Sequence, residues 1–326
     1  MSKNEKVLVT GSMGCIGAWV IRHLLDEGMD FIAADLSDEP VRPRLLLSDA
    51  EIKAVHWQTL DVTDTASVNA VVKDNGVTQI IHLAALQIPF CRADPALGAA
   101  VNVLGTVNVL EAARHNGIES FTYASSLAAL GPSDLYPQKP VPNDAPTAPT
   151  TLYGVYKVAN EETARIYWRD WQVGSIGLRP YNVYGVGRDQ GVTADIAKAI
   201  LATAAGQPFH IRYGGPVALQ HASDIAKMFI ACARIKYQGA SICNVRNDVI
   251  TVEEFVELLK EIYPHAEITN ESNNILPFPA DLEDASLRNL IGEVPHIPLA
   301  DAIRQDFERY KSLLSSQKID LAQLRQ

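Results

Sequence analysis

Val7-Leu8-Val9-Thr10-Gly11-Ser12-Met13-Gly14-Cys15-Ile16-Gly17 decides how the rest of the chain reads. Val7-Leu8-Val9 is a short buried-strand run, and residues 18–27 repeat their apolar side chains at helical spacing. Three glycines lie between. Glycine lets a backbone approach its ligand closely, and the start of a helix attracts an anion. A glycine triplet alone says little. After a strand and at the opening of a helix it points to a dinucleotide pyrophosphate. The cofactor contacts expected here fall on Gly11, Met13, Gly14, Cys15, Ile16 and Gly17. Cys15, near a helix N-terminus, reads as a thiol of lowered pKa or as a small packing residue.

Working outward, Gly28 ends the first helix and Phe31-Ile32-Ala33-Ala34 makes a second strand. A strand, helix, strand sequence implies a parallel sheet. Asp35 closes the second strand, about 20 residues beyond the loop, where a carboxylate holds a ribose diol and repels a 2′-phosphate. NAD is therefore expected over NADP. The alternative for Asp35 is a solvated acidic loop with Asp38 and Glu39. The alternation continues with a strand expected at 54–56, then Asp61-Val62, a helix at 65–75, and a strand at 79–83. A helix at 99–116, a strand at 120–124, a helix at 152–171 and a strand at 174–178 follow. Six strands separated by helices predict an α/β fold with a doubly wound parallel sheet.

The proline-rich stretch 137–149 reads as a surface loop. Beyond Arg179 the pattern becomes irregular, with helices expected at 194–205, 223–234, 252–263 and 299–314. Residues 1–180 are thus expected to form a dinucleotide-binding Rossmann domain. Residues 181–326 are expected to form mainly a smaller substrate lobe, with some segments returning to the first domain. Residues 241–245 read as a strand of that lobe's core.

Composition bounds the partners. The 326 residues are 47% hydrophobic and 20% charged, as in ordinary globular proteins. With 28 basic against 38 acidic residues, the net charge of −10 argues against a nucleic-acid or anionic-membrane surface. None of Cys15, Cys91, Cys232 and Cys243 is spaced C-x-x-C, so neither a metal site nor a disulfide framework is expected. Residues 1–6 lead into the first strand without an apolar signal core, and no membrane span is expected. A cytoplasmic protein with reduced thiols follows as the expectation.

Among eleven tyrosines only Tyr153 has a lysine four residues on, in Tyr153-Gly154-Val155-Tyr156-Lys157. On a helix both side chains share a face. Tyrosine alone, with a pKa of about 10, is a poor base. A nearby ammonium and a cationic nicotinamide favour its phenolate, which then takes the proton from a substrate hydroxyl as hydride leaves the same carbon. Lys157 is also placed to hold the nicotinamide ribose. The fifth strand ends in Ala124-Ser125-Ser126, where open α/β sheets bind their ligands. A Ser126 hydroxyl there can hydrogen-bond the reacting oxygen, with Ser125 the lesser candidate.

As a set these residues resemble the extended short-chain dehydrogenases, the NAD-dependent epimerase/dehydratase family that includes UDP-galactose 4-epimerase. The resemblance rests on Val9 to Gly17, Asp35, Asp61-Val62, His82-Leu83-Ala84-Ala85, Asn102, Ser125-Ser126, Tyr153 to Lys157, and Leu178-Arg179-Pro180-Tyr181-Asn182-Val183-Tyr184-Gly185. It implies that Asp61 and Val62 border the adenine and that Leu83, Ala84 and Ala85 line the path of the phosphates. It implies that Asn102 supports the fold around the cofactor, that Tyr181 lies near the nicotinamide, and that Asn182 faces the substrate. It also implies a homodimer paired through the helices at 99–116 and 152–171.

Two departures narrow the reaction. Dehydratases and decarboxylases of the family carry acidic residues after the catalytic serine or threonine, and here Leu127 and Ala128 stand there. The family's nucleotide-sugar enzymes often place an arginine shortly before a histidine and an aspartate. His221 and Asp224 match that pair, but Val217 aligns with the arginine, and neither Arg212 nor Arg188 is at its place. The expected activity is NAD-dependent hydride transfer at a secondary alcohol of a sugar or sugar-derived acid. Ser126, Asn182, Gln190 and His221 are the polar groups expected to match its hydroxyls. Epimerisation and net dehydrogenation both remain open, beside a nucleotide-sugar 4-epimerase and a non-catalytic NAD-sensing module. A sensor needs no proton relay.

Overall fold

A computed structural model describes residues 5–325, so residues 1–4 of the stretch 1–6 that leads into the first strand lie outside the described residues. In chain order β1 (Lys6–Thr10), α1 (Cys15–Asp26), β2 (Asp30–Asp35) and β3 (Trp57–Thr59) open the fold. They are followed by α2 (Thr65–Asp74), β4 (Gln79–His82), α3 (Pro95–His115), β5 (Ser120–Ala124), α4 (Leu152–Trp171) and β6 (Ser175–Arg179). Next come β7 (Asn182–Tyr184), α5 (Asp195–Ala204), β8 (Phe209–Ile211), β9 (Pro216–His221), α6 (Ala222–Ala233) and β10 (Ala240–Asn244). The chain closes with β11 (Asp248–Thr251), α7 (Val252–Ile262), β12 (Ile268–Asn270), α8 (Ala285–Ile291) and α9 (Leu299–Ser315).

Seven strands form one parallel sheet in the order β10-β6-β5-β4-β1-β2-β3. Its strands are apolar on both faces because both faces are covered. Val7, Val9, Ala33 and Ile81 point to one side and join α1 and α6 through Val20, Ile21, Leu24 and Phe229. Leu8, Ile32, Ala34 and Ile80 point to the other and meet Val68, Val72, Val109, Leu110 and Ala164 of α2, α3 and α4. The helices carry local start signals. Asp64 accepts from the backbone N–H of Ala66 and Ser67 at α2, and Thr151 accepts from that of Gly154 at α4. By length and apolarity α3 qualifies to cross a membrane, but half of that stretch is buried, and it packs against α2 and α4 as a core helix.

Two expectations are corrected. The third strand runs over Trp57–Thr59, not 54–56, because Ser48 and Glu51 form a reciprocal cap that starts a short helix, Asp49–Ala54, over the earlier residues. The strand expected in the lobe instead pairs with β6, Ala240 opposite Ser175 through Asn244 opposite Arg179, as the seventh strand of the main sheet. α6 covers this sheet beside β4, β5 and β6, and α8 packs against β10 and α6. The lobe itself consists of β11-β9-β7, the pair β12-β8, and α5, α7 and α9.

Candidate active site

In the sheet, β1 is flanked by β2 on one side and β4 on the other, which makes the crevice at its carboxyl end a ligand site. A cavity of about 460 Å³ opens there, walled by the loops after β1, β2 and β4 and by residues 187–190. Gly11 has φ +71°, and a Cβ on it would stand 2.5 Å from the Ala84 nitrogen. Two ligand loops therefore meet backbone to backbone, which only glycine permits. A Cβ on Gly17 would overlap the Gly11 carbonyl oxygen, so that glycine sets how closely α1 approaches its loop. Gly14 is the N-cap of α1 and supplies no side-chain acceptor. The N–H groups of an α-helix's first turn have no partner within the helix, and Gly14 and Cys15 line the cavity at that end. An uncapped helix start beside a glycine cradle fits a dinucleotide pyrophosphate.

Around this cradle the structure places the expected contacts as follows. Met13, Asp35, Asp61, Val62, Leu83, Ala84 and Ala85 all line the cavity. Asp35 Oδ2 accepts from the Met13 N–H and Oδ1 from the Leu36 N–H, each at 2.8 Å, which ties the glycine loop to the end of β2. Asp61 Oδ1 accepts from the N–H and hydroxyl of Thr63, and the Val62 carbonyl accepts from Asn108 Nδ2. Asn102 sits where α3 widens into a π turn. Its amide clasps Leu86, accepting from the N–H at 2.8 Å and donating to the carbonyl at 3.0 Å. That fixes the loop after β4. Buried His82 bridges the Thr10 and Thr106 hydroxyls, and burial holds it neutral with a pKa near 3.

Ile16 lies in the first turn of α1, where its backbone N–H is one of those that the helix leaves without a partner. Its side chain packs against the core and does not line the cavity. Cys15 both lines the cavity and packs partly against the core, and burial pushes its thiol up to about 12, opposite to the lowering expected from a helix N-terminus. Arg42 and Asp189 were not singled out from the sequence. Arg42 donates to Asp189 Oδ1 through Nε and Nη2, at 3.1 and 2.8 Å, and to the Met13 carbonyl through Nη1. Its partner is 147 residues away, so no local pattern announces it. Arg42 lies near enough to Asp35 to raise the question of a 2′-phosphate, but its guanidinium is already committed. NAD is therefore expected to exceed NADP in kcat/KM, and Arg42→Ala is expected to leave that order unchanged. Steady-state kinetics with both cofactors check this, and a preference for NADP in the wild type would remove Asp35 from the ribose site.

The relay residues converge at the carboxyl end of β5. Lys157 is buried on α4, its Nζ donating to the Ala124 carbonyl at 2.6 Å and lying 5.4 Å from the centre of the Tyr153 ring. Burial pulls Lys157 down to about 8. Burial likewise raises the Tyr153 pKa, while a side-chain hydrogen bond with Ser126 and the charge of Arg188 pull it the other way. Ser126 Oγ accepts from the Ala128 N–H at 3.1 Å. Ser125 is turned inward, its hydroxyl donating to Glu161 Oε1 at 2.5 Å, so the two adjacent serines have separate tasks. Leu127 and Ala128 are buried, and neither brings a carboxylate to Ser126.

Of the remaining expected residues, Gln190 lines the cavity. Among the described residues the Tyr181 hydroxyl and Asn182 Oδ1 are buried without hydrogen-bond partners, while Asn182 Nδ2 donates to the Tyr213 hydroxyl. His221 does not join them. It lies in the interior, 3.3 Å from Asp306 through Nε2, with Trp19 and Tyr184 edge-on to its ring. The expectation of a substrate contact there is corrected: His221 ties β9 to α9 behind the cleft. Val217 is fully buried in β9 opposite Ile250. Arg212 is bound to Asp195 by its backbone N–H, Nε and Nη2.

The model of the NAD dependent epimerase/dehydratase family matches residues 7–245. The chain belongs to this family. Its cofactor is accordingly NAD, and its fold is the family's α/β sheet. An uncharacterized epimerase/dehydratase of Staphylococcus haemolyticus is 31% identical over 198 residues, covering 60% of this chain and 59% of that protein. A Staphylococcus aureus counterpart matches to the same extent. The chain thus spans less than two thirds of these relatives' length. The L-threonine dehydrogenase from Clostridium difficile superposes with a TM-score of 0.82 at 22% identity, covering 97% of this chain and 99% of that one. The UDP-glucose 4-epimerase from Thermotoga maritima, solved with UDP-glucose, gives 0.80 at 20% identity, covering 95% and 99%. At these identities the epimerase/dehydratase-family chain shares their fold, and the likeness carries no substrate with it.

Proposed function

We propose that this member of the epimerase/dehydratase family transfers hydride between NAD and a secondary alcohol of a free sugar or sugar-derived acid. One observation carries the reading: Tyr153 and buried Lys157 lie side by side on α4, facing Ser126 at the end of β5. A sensing module needs none of these three in that relation. When bound, NAD accepts the hydride and its cationic ring favours the neighbouring phenolate. Tyr153 takes the hydroxyl proton at its phenolic oxygen. Ser126 orients the reacting oxygen. Lys157 is anchored by the Ala124 carbonyl and presents its charge along the tyrosine ring. The buried Leu127 and Ala128 supply no acid for elimination or decarboxylation.

We further propose that the protein is a cytoplasmic homodimer. Its four cysteines are free. Leu104 on α3 and Leu152, Val155 and Trp171 on α4 are exposed apolar side chains on the two helices expected to pair.

A nucleotide diphosphate in a cleft needs charge compensation, which bidentate arginine ordinarily supplies. Val217 lies inside a strand pair and Arg212 is spent on Asp195, so neither clamps one, and Arg188, which forms no ion pair among the described residues, is the arginine that the nucleotide competition below tests. The test is a screen of sugars, aldonic and uronic acids and nucleotide sugars for NADH formation, with products followed by NMR and with UDP, dTDP or GDP added as competitors. Turnover of a free sugar or acid, unaffected by the nucleotides, is expected. Released NADH marks a dehydrogenase, and inversion without NADH release marks an epimerase. Competition at micromolar nucleotide would replace this reading with a nucleotide-sugar epimerase.

A further inference from the structure

Arg188 stands apart from the other arginines around the cleft. Arg42 is spent on Asp189, Arg179 on Glu161 and Arg212 on Asp195. Among the described residues Arg188 forms no ion pair. Its Nη2 donates to the Thr193 hydroxyl at 2.8 Å, and its Nε is fully buried without a hydrogen-bond partner. The segment that carries it is shaped to turn inward, with Gly187 at φ +92° and Gly191 at φ +85° on either side. Arg188 lines the cavity, and its charge acts on Tyr153, Tyr213 and Cys15. A Cβ on Gly191 would meet Gln87 Oε1 at 3.4 Å and Arg188 Nη2 at 3.8 Å, which puts the guanidinium beside the loop after β4. An arginine whose buried N–H is unpaired loses stability until an acceptor arrives, and an oxyanion is the acceptor that matches its geometry best.

We propose that Arg188 holds an oxyanion, the carboxylate of the substrate, so that the alcohol oxidised belongs to a hydroxy acid and not to a neutral sugar. The inference rests on the proposed hydride transfer and narrows its substrate class. In the step itself the carbinol C–H leaves as hydride to NAD, the O–H proton goes to the Tyr153 phenolate, and the carbon becomes a carbonyl. The carboxylate is unchanged throughout and serves as a handle. The other oxyanion within reach is the dinucleotide's pyrophosphate. The glycine loop and the uncapped start of α1 already serve that group, whereas Arg188 is carried by the lobe, between β7 and α5, where Thr193 holds its Nη2 and Asn182 of β7 bonds Tyr213.

The two sources separate in one experiment. Wild type, Arg188→Gln and Arg188→Lys are compared on matched pairs, such as a uronic acid and its parent aldose, while NADH binding is titrated by fluorescence. The wild type is expected to favour the acid. Arg188→Gln is expected to lower the acid-to-neutral ratio of kcat/KM about 10²-fold, mainly through KM, the scale of a charge-assisted hydrogen bond. NADH affinity should stay within about twofold while Arg188→Lys restores part of the ratio, since a point charge replaces part of a bidentate fork. A parallel loss for both substrates together with weakened NADH binding would assign the oxyanion to the cofactor and overturn the proposal. So would a wild type that oxidises acid and aldose equally well, although the dehydrogenase reading would then stand. No NADH release or epimerisation from any substrate would sink the hydride-transfer reading, and the proposal with it.

Discussion

Tyr153→Phe is expected to bind NAD as the wild type does and to lose about 10²–10⁴-fold in turnover, the usual cost of removing one general acid–base. The ring packs on α4 beside the Lys157 ammonium, and phenylalanine keeps that packing. Only the oxygen is lost. In the chain without cofactor, burial holds the Tyr153 proton on, against the pull of Ser126 and Arg188. Under the proposed reaction the positive ring that NAD would supply when bound would favour the Tyr153 phenolate. Initial rates on the best substrate from the screen, beside a fluorescence titration of NADH, measure the two quantities separately. Turnover within about threefold of wild type would take Tyr153 out of the mechanism, because that lies far below the typical general acid–base contribution of about 10²–10⁴-fold.

Glu161→Ala is expected to destabilise the fold by about 3–5 kcal/mol, because it leaves a buried guanidinium without its counter-charge. The side chains of Glu161 and Arg179 are each 5% exposed. Glu161 accepts from Nε and Nη2 of Arg179 at 2.8 and 2.7 Å and also from the Ser125 hydroxyl. Arg179 in turn donates through Nη1 to Asn244 Oδ1 and the Asn143 carbonyl. One carboxylate on α4 thus ties the carboxyl ends of β5, β6 and β10, directly behind Ser126. Urea unfolding monitored by circular dichroism gives the loss. Ser126→Ala is the companion measurement: it should leave the unfolding midpoint near wild type while lowering turnover. A Glu161→Ala midpoint equal to wild type would show that the ion pair does not hold these strand ends together.

The fold was legible early because its signals are local. Val7-Leu8-Val9 before the glycine loop, the twenty-residue helix Leu152–Trp171 and the strand Ser120–Ala124 each declare themselves through side-chain period and caps. The exchange of 54–56 for Trp57–Thr59 shows the limit of that reading. A reciprocal cap at Ser48 and Glu51 starts a helix that runs to Ala54 with Val55 as its C-cap, so the strand begins only at Trp57. Ala240–Asn244 is the larger miss. Its residues are mostly half-buried and include Ser241 and Asn244, so its composition does not tell the edge of the main sheet from a strand of the lobe. Only its pairing with β6 decides.

For the site, the sequence by itself determined the chemistry that depends on spacing along one element. Tyr153 and Lys157 share a helix face four residues apart, Gly11 and Gly17 bracket a helix start, and Asp35 ends the next strand. Each is a consequence of helix and strand periods. What only the tertiary structure decided are the relations between distant segments, which no period encodes. It turned Ser125 away to Glu161 and left Ser126 beside Tyr153. It drew His221 into the interior against Asp306, 85 residues on, and closed Arg42 over the glycine loop onto Asp189. It also left Arg188, among the described residues, with a buried nitrogen that has no hydrogen-bond partner. Whether a polar side chain is spent on the fold or kept for a ligand depends on which partners packing brings within about 3 Å, the range of a hydrogen bond. That distance is set by the closed chain and not by the order of its residues.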